Sequence, residues 1–138
     1  MPAPQYSKQL TGLTANLIVR DIESSLPFYR EVLGLKVLYS DPDFAALEGP
    51  PGVRMMLHAD HTLDHSELET ARLVTPGKRG TGAELRILGI DPDGVEKRAR
   101  EHGFTINSAV RDYAHGWREC RLEDGNGYMF AVGNLIAP

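Results

Sequence analysis

One local plan is written twice in this chain, first over TANLIVRDIESSLPFYREVLGLKVL (Thr14 to Leu38) and again over ELRILGIDPDGVEKRAREHGFTI (Glu84 to Ile106). Each copy reads as a short alternating strand, an Asp that ends it, a helical stretch, a helix-stopping Gly and a second strand. Laying Thr14 on Glu84 brings Asp21 onto Asp91, and dropping one helix residue then brings Gly34 onto Gly103. Solenoid repeats have periods of roughly 20 to 50 residues. The period here is about seventy, so the repeat predicts a pair of matched modules and not a stack.

In the first copy Ile22, Leu26, Tyr29 and Leu33 recur at the spacing of one helix face, which needs a sheet to cover it. Pro27 is tolerated only in a first turn, so regular helix is expected to begin near Ser24 or Ser25, either of which can cap it. Gly34 then supplies the left-handed stop. In the second copy Asp91 is a natural N-cap, Pro92 suits the first helical position and Gly103 closes the helix, whose thin apolar stripe is clearest at Val95 and Ala99. Strand-like runs follow each helix: LKVLYS, DFAALEG and VRMMLHA, then FTINSAV, WRECRLE and YMFAVG. The breaks Glu48 to Gly52 and Asp124 to Gly127 read as hairpin turns, because Gly and Asn accept positive φ. The expected fold class is α+β, with β-α-β-β-β written twice inside one domain over 1–138. The modules are expected over 11–60 and 82–134, joined by a polar linker over 61–81 in which SELETARL can form one or two helical turns.

A chain of 138 residues can bury roughly two thirds of the surface its unfolded form exposes. No stretch approaches the ~18 continuous apolar residues of a membrane span, so no membrane association is expected. The start, MPAPQYSKQL, lacks the apolar core of a signal peptide, and the single Cys120 has no internal disulfide partner. A cytoplasmic home is the resulting expectation. Fifteen basic against nineteen acidic residues give a formal net charge of -4, which disfavours phosphate-backbone binding and hence nucleic acid. Cationic or zwitterionic small molecules fit that balance better.

The order of these motifs resembles the vicinal oxygen chelate superfamily, the glyoxalase, bleomycin-resistance and extradiol-dioxygenase group. Asp21, Phe28, Tyr29, Leu33 and Gly34 are similar to that family's strand-ending Asp, "FY" helix and "LG" turn. Gly116, Arg118, Glu119 and the turn Asp124 to Gly127 are similar to its closing hairpin, with Gly125 and Asn126 where the family has Pro and a second Asp. The resemblance implies two modules forming a curved, incompletely closed mixed sheet around a central cavity, helices on the outside, and a homodimer. It also implies one divalent ion held by four side chains. Carried over position by position, those are Thr14, Met56, Glu84 and Ala131, of which only Glu84 is an ordinary ligand. No metal and no other cofactor is therefore expected.

Strand alternation gives a separate reading of the cavity. Leu17, Val19, Met55, Leu57, Leu85, Ile87, Cys120, Leu122, Tyr128, Phe130 and Val132 should face the helices. Their alternates Thr14, Asn16, Arg54, Met56, His58, Glu84, Arg86, Glu119, Arg121, Met129 and Ala131 should face the other way, either merely wet or converging on a site. With Tyr39, Phe44, His115 and Trp117 as neighbours, these polar groups form the expected ligand pocket. Glu84 and Glu119 either pair with Arg86 and Arg121 as ion pairs or, buried together, supply a catalytic base. His58, His61 and His65 read as a surface cluster from which His58 alone reaches the cavity, and Cys120 reads as a core residue. The expectation is a metal-free protein that binds a small organic molecule, as antibiotic-sequestering relatives do, with the carboxylates favouring a positive group on it. The alternative is a lyase, isomerase or dioxygenase, metal-dependent or metal-free, with Glu84 or Glu119 as base or ligand.

Overall fold

The computed structural model describes residues 3–63 and 72–137. His65 and most of SELETARL, with the helical turns expected there, lie outside the described residues. The described chain runs α1 (Ala3–Ser7), β1 (Ala15–Val19), α2 (Ile22–Pro27) continued by a π-helical turn (Phe28–Val32), β2 (Lys36–Ser40), β3 (Phe44–Glu48), β4 (Arg54–Ala59) and a 3-10 turn (Asp60–Thr62). It resumes with β5 (Leu85–Leu88), α3 (Pro92–Glu101), β6 (Ile106–Asp112), β7 (Trp117–Glu123) and β8 (Met129–Leu135). The strands make two four-stranded mixed sheets of identical topology, β1-β4-β3-β2 and β5-β8-β7-β6. In each sheet the first strand lies parallel to the fourth, with Leu17 beside Leu57 and Leu85 beside Phe130, and the other pairings are antiparallel. Among the described residues the strands form no closed barrel. β1 and β5 are both edge strands and do not pair with each other.

The first helix differs from its expected start. Asp21, in extended conformation, accepts the Ser24 N–H at 2.8 Å and caps a helix that begins at Ile22, so Pro27 stands in its last turn. Proline has no N–H to close onto the preceding turn. The chain answers with wider bonding from the next residue on, where the Leu33 N–H reaches the Phe28 carbonyl at 2.9 Å. That widening keeps Ile22, Leu26, Tyr29 and Leu33 all buried on one side. Gly34 and Gly103 end their helices at φ of 73° and 76°, the left-handed region that a side chain resists. Asp91 caps α3 as expected, accepting the Asp93 N–H at 3.2 Å.

Both helices lie on one face of their sheets, and the two covered faces share a single core. Phe28 and Tyr29 of the first module sit against Phe130 of the second, with centroids at 5.4 and 5.7 Å, and Phe28 also meets Phe104 at 5.2 Å. All eleven residues expected to face the helices belong to this core or pack against it. The opposite face of the first sheet is covered too. Tyr6, from the short α1, is fully buried against Phe44 and Ala46, with Leu10, Leu38, Tyr39 and Met56 around it. Its hydroxyl approaches the Met55 carbonyl at 3.4 Å.

Candidate functional site

The uncovered face of the second sheet carries an ionic network centred on Glu119. That carboxylate is fully buried, although its neighbours along β7 alternate between the core and the open face. Register explains the burial. Glu119 lies between Gly133 on β8 and Arg111 on β6, so longer side chains two residues away fold over it. Arg86 donates to it from Nη2 at 2.6 Å and to Glu84 from Nη1 at 2.7 Å. His115 Nε2 lies 2.7 Å from Glu119 Oε1, and Arg121 Nε lies 3.3 Å from its Oε2 and 3.7 Å from Glu84. Burial pushes the Glu119 carboxyl up, but hydrogen bonds and charge from Arg86 and Arg121 outweigh it and hold the group below its ordinary value.

An aromatic rim surrounds this network. Tyr113 and His115 stack at 5.4 Å, His115 meets Trp117 edge-on at 6.2 Å, and the Arg86 guanidinium lies 4.8 Å over the Trp117 ring. Arg111 and Arg121 both lie over Tyr113, at 4.4 and 5.4 Å. A 2.7 Å bond to the Ser108 hydroxyl and then the Arg111 guanidinium draw the Tyr113 phenol below its usual range.

The sequence-derived residues thus fall into two groups. Glu84, Arg86, His115, Trp117, Glu119 and Arg121 are brought together. On the first sheet, His58 Nδ1 bonds Asn16 Oδ1 at 2.7 Å and its ring lies 5.0 Å from Phe44, which in turn lies 6.2 Å from Tyr39. Burial lowers the His58 pKa, and His61 pairs instead with Asp43. Thr14 stands just before β1 and Met129 begins β8 opposite Glu123. Among the described residues no hydrogen bond, ion pair or ring contact joins the first-sheet group to the second.

What the two modules do share is a cleft of about 150 Å³ where the edges of β1 and β5 face each other. Leu13, Ala15, Val53, Met55, Leu85, Ile87 and Phe130 supply apolar walls, and Arg54 and Arg86 are its charged members. Larger hollows, such as one of about 410 Å³ beside Gly34, Glu48 and Arg98, lie away from the Glu119 network. Arg86 alone belongs to both the cleft and the network. Sequence reading missed Leu13, Ser108, Arg111, Tyr113 and Tyr6. The alternation Tyr113, His115, Trp117 was a usable signal for one of them, whereas a five-residue helix has too little periodicity to announce Tyr6.

A divalent ion fits this donor set poorly. Register places Asn16 beside Met56 and Arg86 beside Ala131. The carboxylate of Glu84 is engaged by two arginines. Among the described residues no three His, Cys, Asp or Glu side chains gather as a metal site would require.

Comparison with known proteins agrees with this architecture. Residues 12–132 match the model of the Glyoxalase/Bleomycin resistance protein/Dioxygenase superfamily, and the chain belongs to that superfamily. No curated protein matches the sequence. Among solved structures, a protein of unknown function from Agrobacterium tumefaciens is 25% identical with a TM-score of 0.69, over 94% of this chain and 99% of that one. A glyoxalase-related enzyme from Fulvimarina pelagi is 16% identical with a TM-score of 0.69, over 90% and 87%. A glyoxalase/bleomycin resistance protein/dioxygenase family enzyme from Burkholderia phytofirmans is 21% identical with a TM-score of 0.69, over 89% and 97%. These last two likenesses carry the fold. No described helix is long and apolar enough to cross a membrane.

Proposed function

We propose that the protein binds a small organic molecule in the cleft between its two modules and does so without a metal ion. The observation that carries this reading is the position of Arg86. Its guanidinium bonds both carboxylates on the open face, so a cation already stands where a divalent ion would need those oxygens. The cleft has what a ligand site needs: apolar walls, few polar groups, and one of those groups fixed in place by its neighbours. Sequestration of an antibiotic or a similar compound belongs to this reading. So do a cytoplasmic location and a homodimer, for which the exposed Leu88, Leu135 and Ile136 offer apolar surface.

Calorimetry on chelator-stripped protein with nickel, manganese, iron(II) and zinc, with Glu84→Ala as control, tests the metal-free part. The expected result is no site-specific binding. One ion per chain at micromolar affinity, about -8 kcal/mol, lost in the mutant, overturns it.

A second reading is favoured by the pair His115 and Glu119. A half-exposed imidazole held through Nε2 by a buried carboxylate leaves Nδ1 to move a proton on a bound molecule, as an isomerase or lyase of this superfamily would require. Turnover that disappears in His115→Asn while ligand affinity is kept separates this reading from binding alone.

A further inference from the structure

The charges lining the cleft point the other way from the expectation of a positively charged ligand. Glu84 and Glu119 are already matched by Arg86 and Arg121, with His115 on Glu119 as well. Of the residues that line the cleft, two are arginines and none is acidic. Arg54 is exposed at the start of β4, and among the described residues it forms no ion pair with a carboxylate. Glu48 stands opposite it in register on β3 but makes no ion pair with it.

We infer that the ligand is a small organic monoanion with an apolar body, its acid group held between Arg54 and Arg86 at the mouth of this cleft. The inference rests on the binding reading above and names the chemical class of its ligand. Three further observations carry it. The floor of the cleft is the protein core itself, since Met55, Ile87 and Phe130 are at most 5% exposed. At the rim Leu13 is 96% exposed, an apolar side chain that a ligand lying in the cleft would cover. Arg86 is already fixed by Glu84 and Glu119 and lies over Trp117, so the N–H donors it does not give to those carboxylates lose little freedom when they meet an acid group.

Size narrows the class. A volume of about 150 Å³ corresponds to about five waters at ~30 Å³ each, the scale of a monocyclic or short branched carboxylic acid. A planar carboxylate suits the guanidinium fork of Arg54, which can donate two parallel hydrogen bonds to it, with the remaining donors of Arg86 beside it.

Three fragments of one shape decide the matter: benzoate, neutral benzamide and cationic benzylamine, titrated into the full chain while the methyl resonances of Leu13, Leu85 and Ile87 are followed by NMR. Benzoate is expected to shift these signals and to bind about tenfold more tightly than benzamide, with that preference largely lost in Arg54→Gln. Arg54 is exposed, so the variant should keep the wild-type fold, which its melting curve checks. Benzamide or benzylamine binding in the cleft as tightly as benzoate overturns the anionic class while the small-molecule reading stands. Benzoate binding that Arg54→Gln leaves intact also overturns it. If none of the three moves these methyl signals, the class and the cleft as binding site fall together.

Discussion

The Tyr128 hydroxyl holds both backbone groups of Ile18. It donates to the Ile18 carbonyl at 2.7 Å and lies 3.1 Å from the Ile18 N–H that donates to it. β1 is an edge strand, and one side chain from the other module therefore does at this point what a neighbouring strand would do. The same carbonyl receives Arg79 Nη1 at 3.1 Å, and the Arg20 N–H donates to Asn126 Oδ1 at 3.0 Å. With the 2.7 Å bond from the Tyr29 hydroxyl to Asp124, these contacts latch the first module to the β7–β8 turn and to Arg79, whose own N–H bonds that turn at Asn126.

Removing the latch should be costly. Tyr128→Phe leaves the buried Ile18 N–H without its partner and is expected to lower stability by about 1–3 kcal/mol in urea unfolding. A change of only a few tenths would mean that water takes the hydroxyl's place.

Glu119→Gln tests the buried network. Its carboxyl is held below the unfolded value of roughly 4.3, so the stability it contributes is full above that pH and is lost as pH falls through the lower folded value. The variant should be about 1–3 kcal/mol less stable than wild type at neutral pH. In unfolding curves taken at decreasing pH, the gap should close in acid. A gap that stays constant into strong acid would show that the ionised form matters little.

Tyr6→Ala should expose the apolar face of the first sheet. Because α1 is a helix of only five residues, the consequence is local opening: faster proteolysis near α1 and a rise in hydrophobic-dye fluorescence. Global stability should fall by about 0.5–3 kcal/mol. Unchanged dye binding would mean that Phe44 and Ala46 are covered without Tyr6.

Cys120 should be silent in the native state. Burial pushes its thiol up to about 12, and its Sγ lies against the Pro92 carbonyl at 3.8 Å. Labelling by an aromatic disulfide reagent is expected to track the unfolded fraction as denaturant is added. Rapid labelling in buffer would place the thiol at the surface.

Much of the fold was legible because it depends on local signals repeated twice. Asp91 and Gly103 bracket α3, alternation sorts Leu57 from His58 and Leu122 from Arg121, and the superfamily motifs order the strands. The helix start was misread because Pro27 was weighed by position alone, whereas the π-helical turn absorbs it. Of the candidate site, sequence shows which positions share a face and not how they are arranged. Alternation says that Asn16 and Glu119 face away from the helices, but not that Tyr6 closes one such face while Arg86 and His115 fold over Glu119 on the other. The charge balance around the cleft was not legible for the same reason: counting carboxylates in a sequence does not reveal that Glu84 and Glu119 are already paired with arginines. The latch at Ile18 left no sequence signal, since it joins residues 110 positions apart.

The aromatic stack of Phe28, Tyr29 and Phe130 has a consequence for how such a chain can change. Although the two halves look like copies that could be exchanged, each inserts side chains into the other's interior. A substitution at Phe130 must be tolerated by a helix from the opposite half, so the copies are free to diverge in what they bind but not in how they fit. Grafting one half onto a relative's other half would break this seam before it altered any binding surface. The duplication is visible in sequence; as an inheritable unit it has become indivisible.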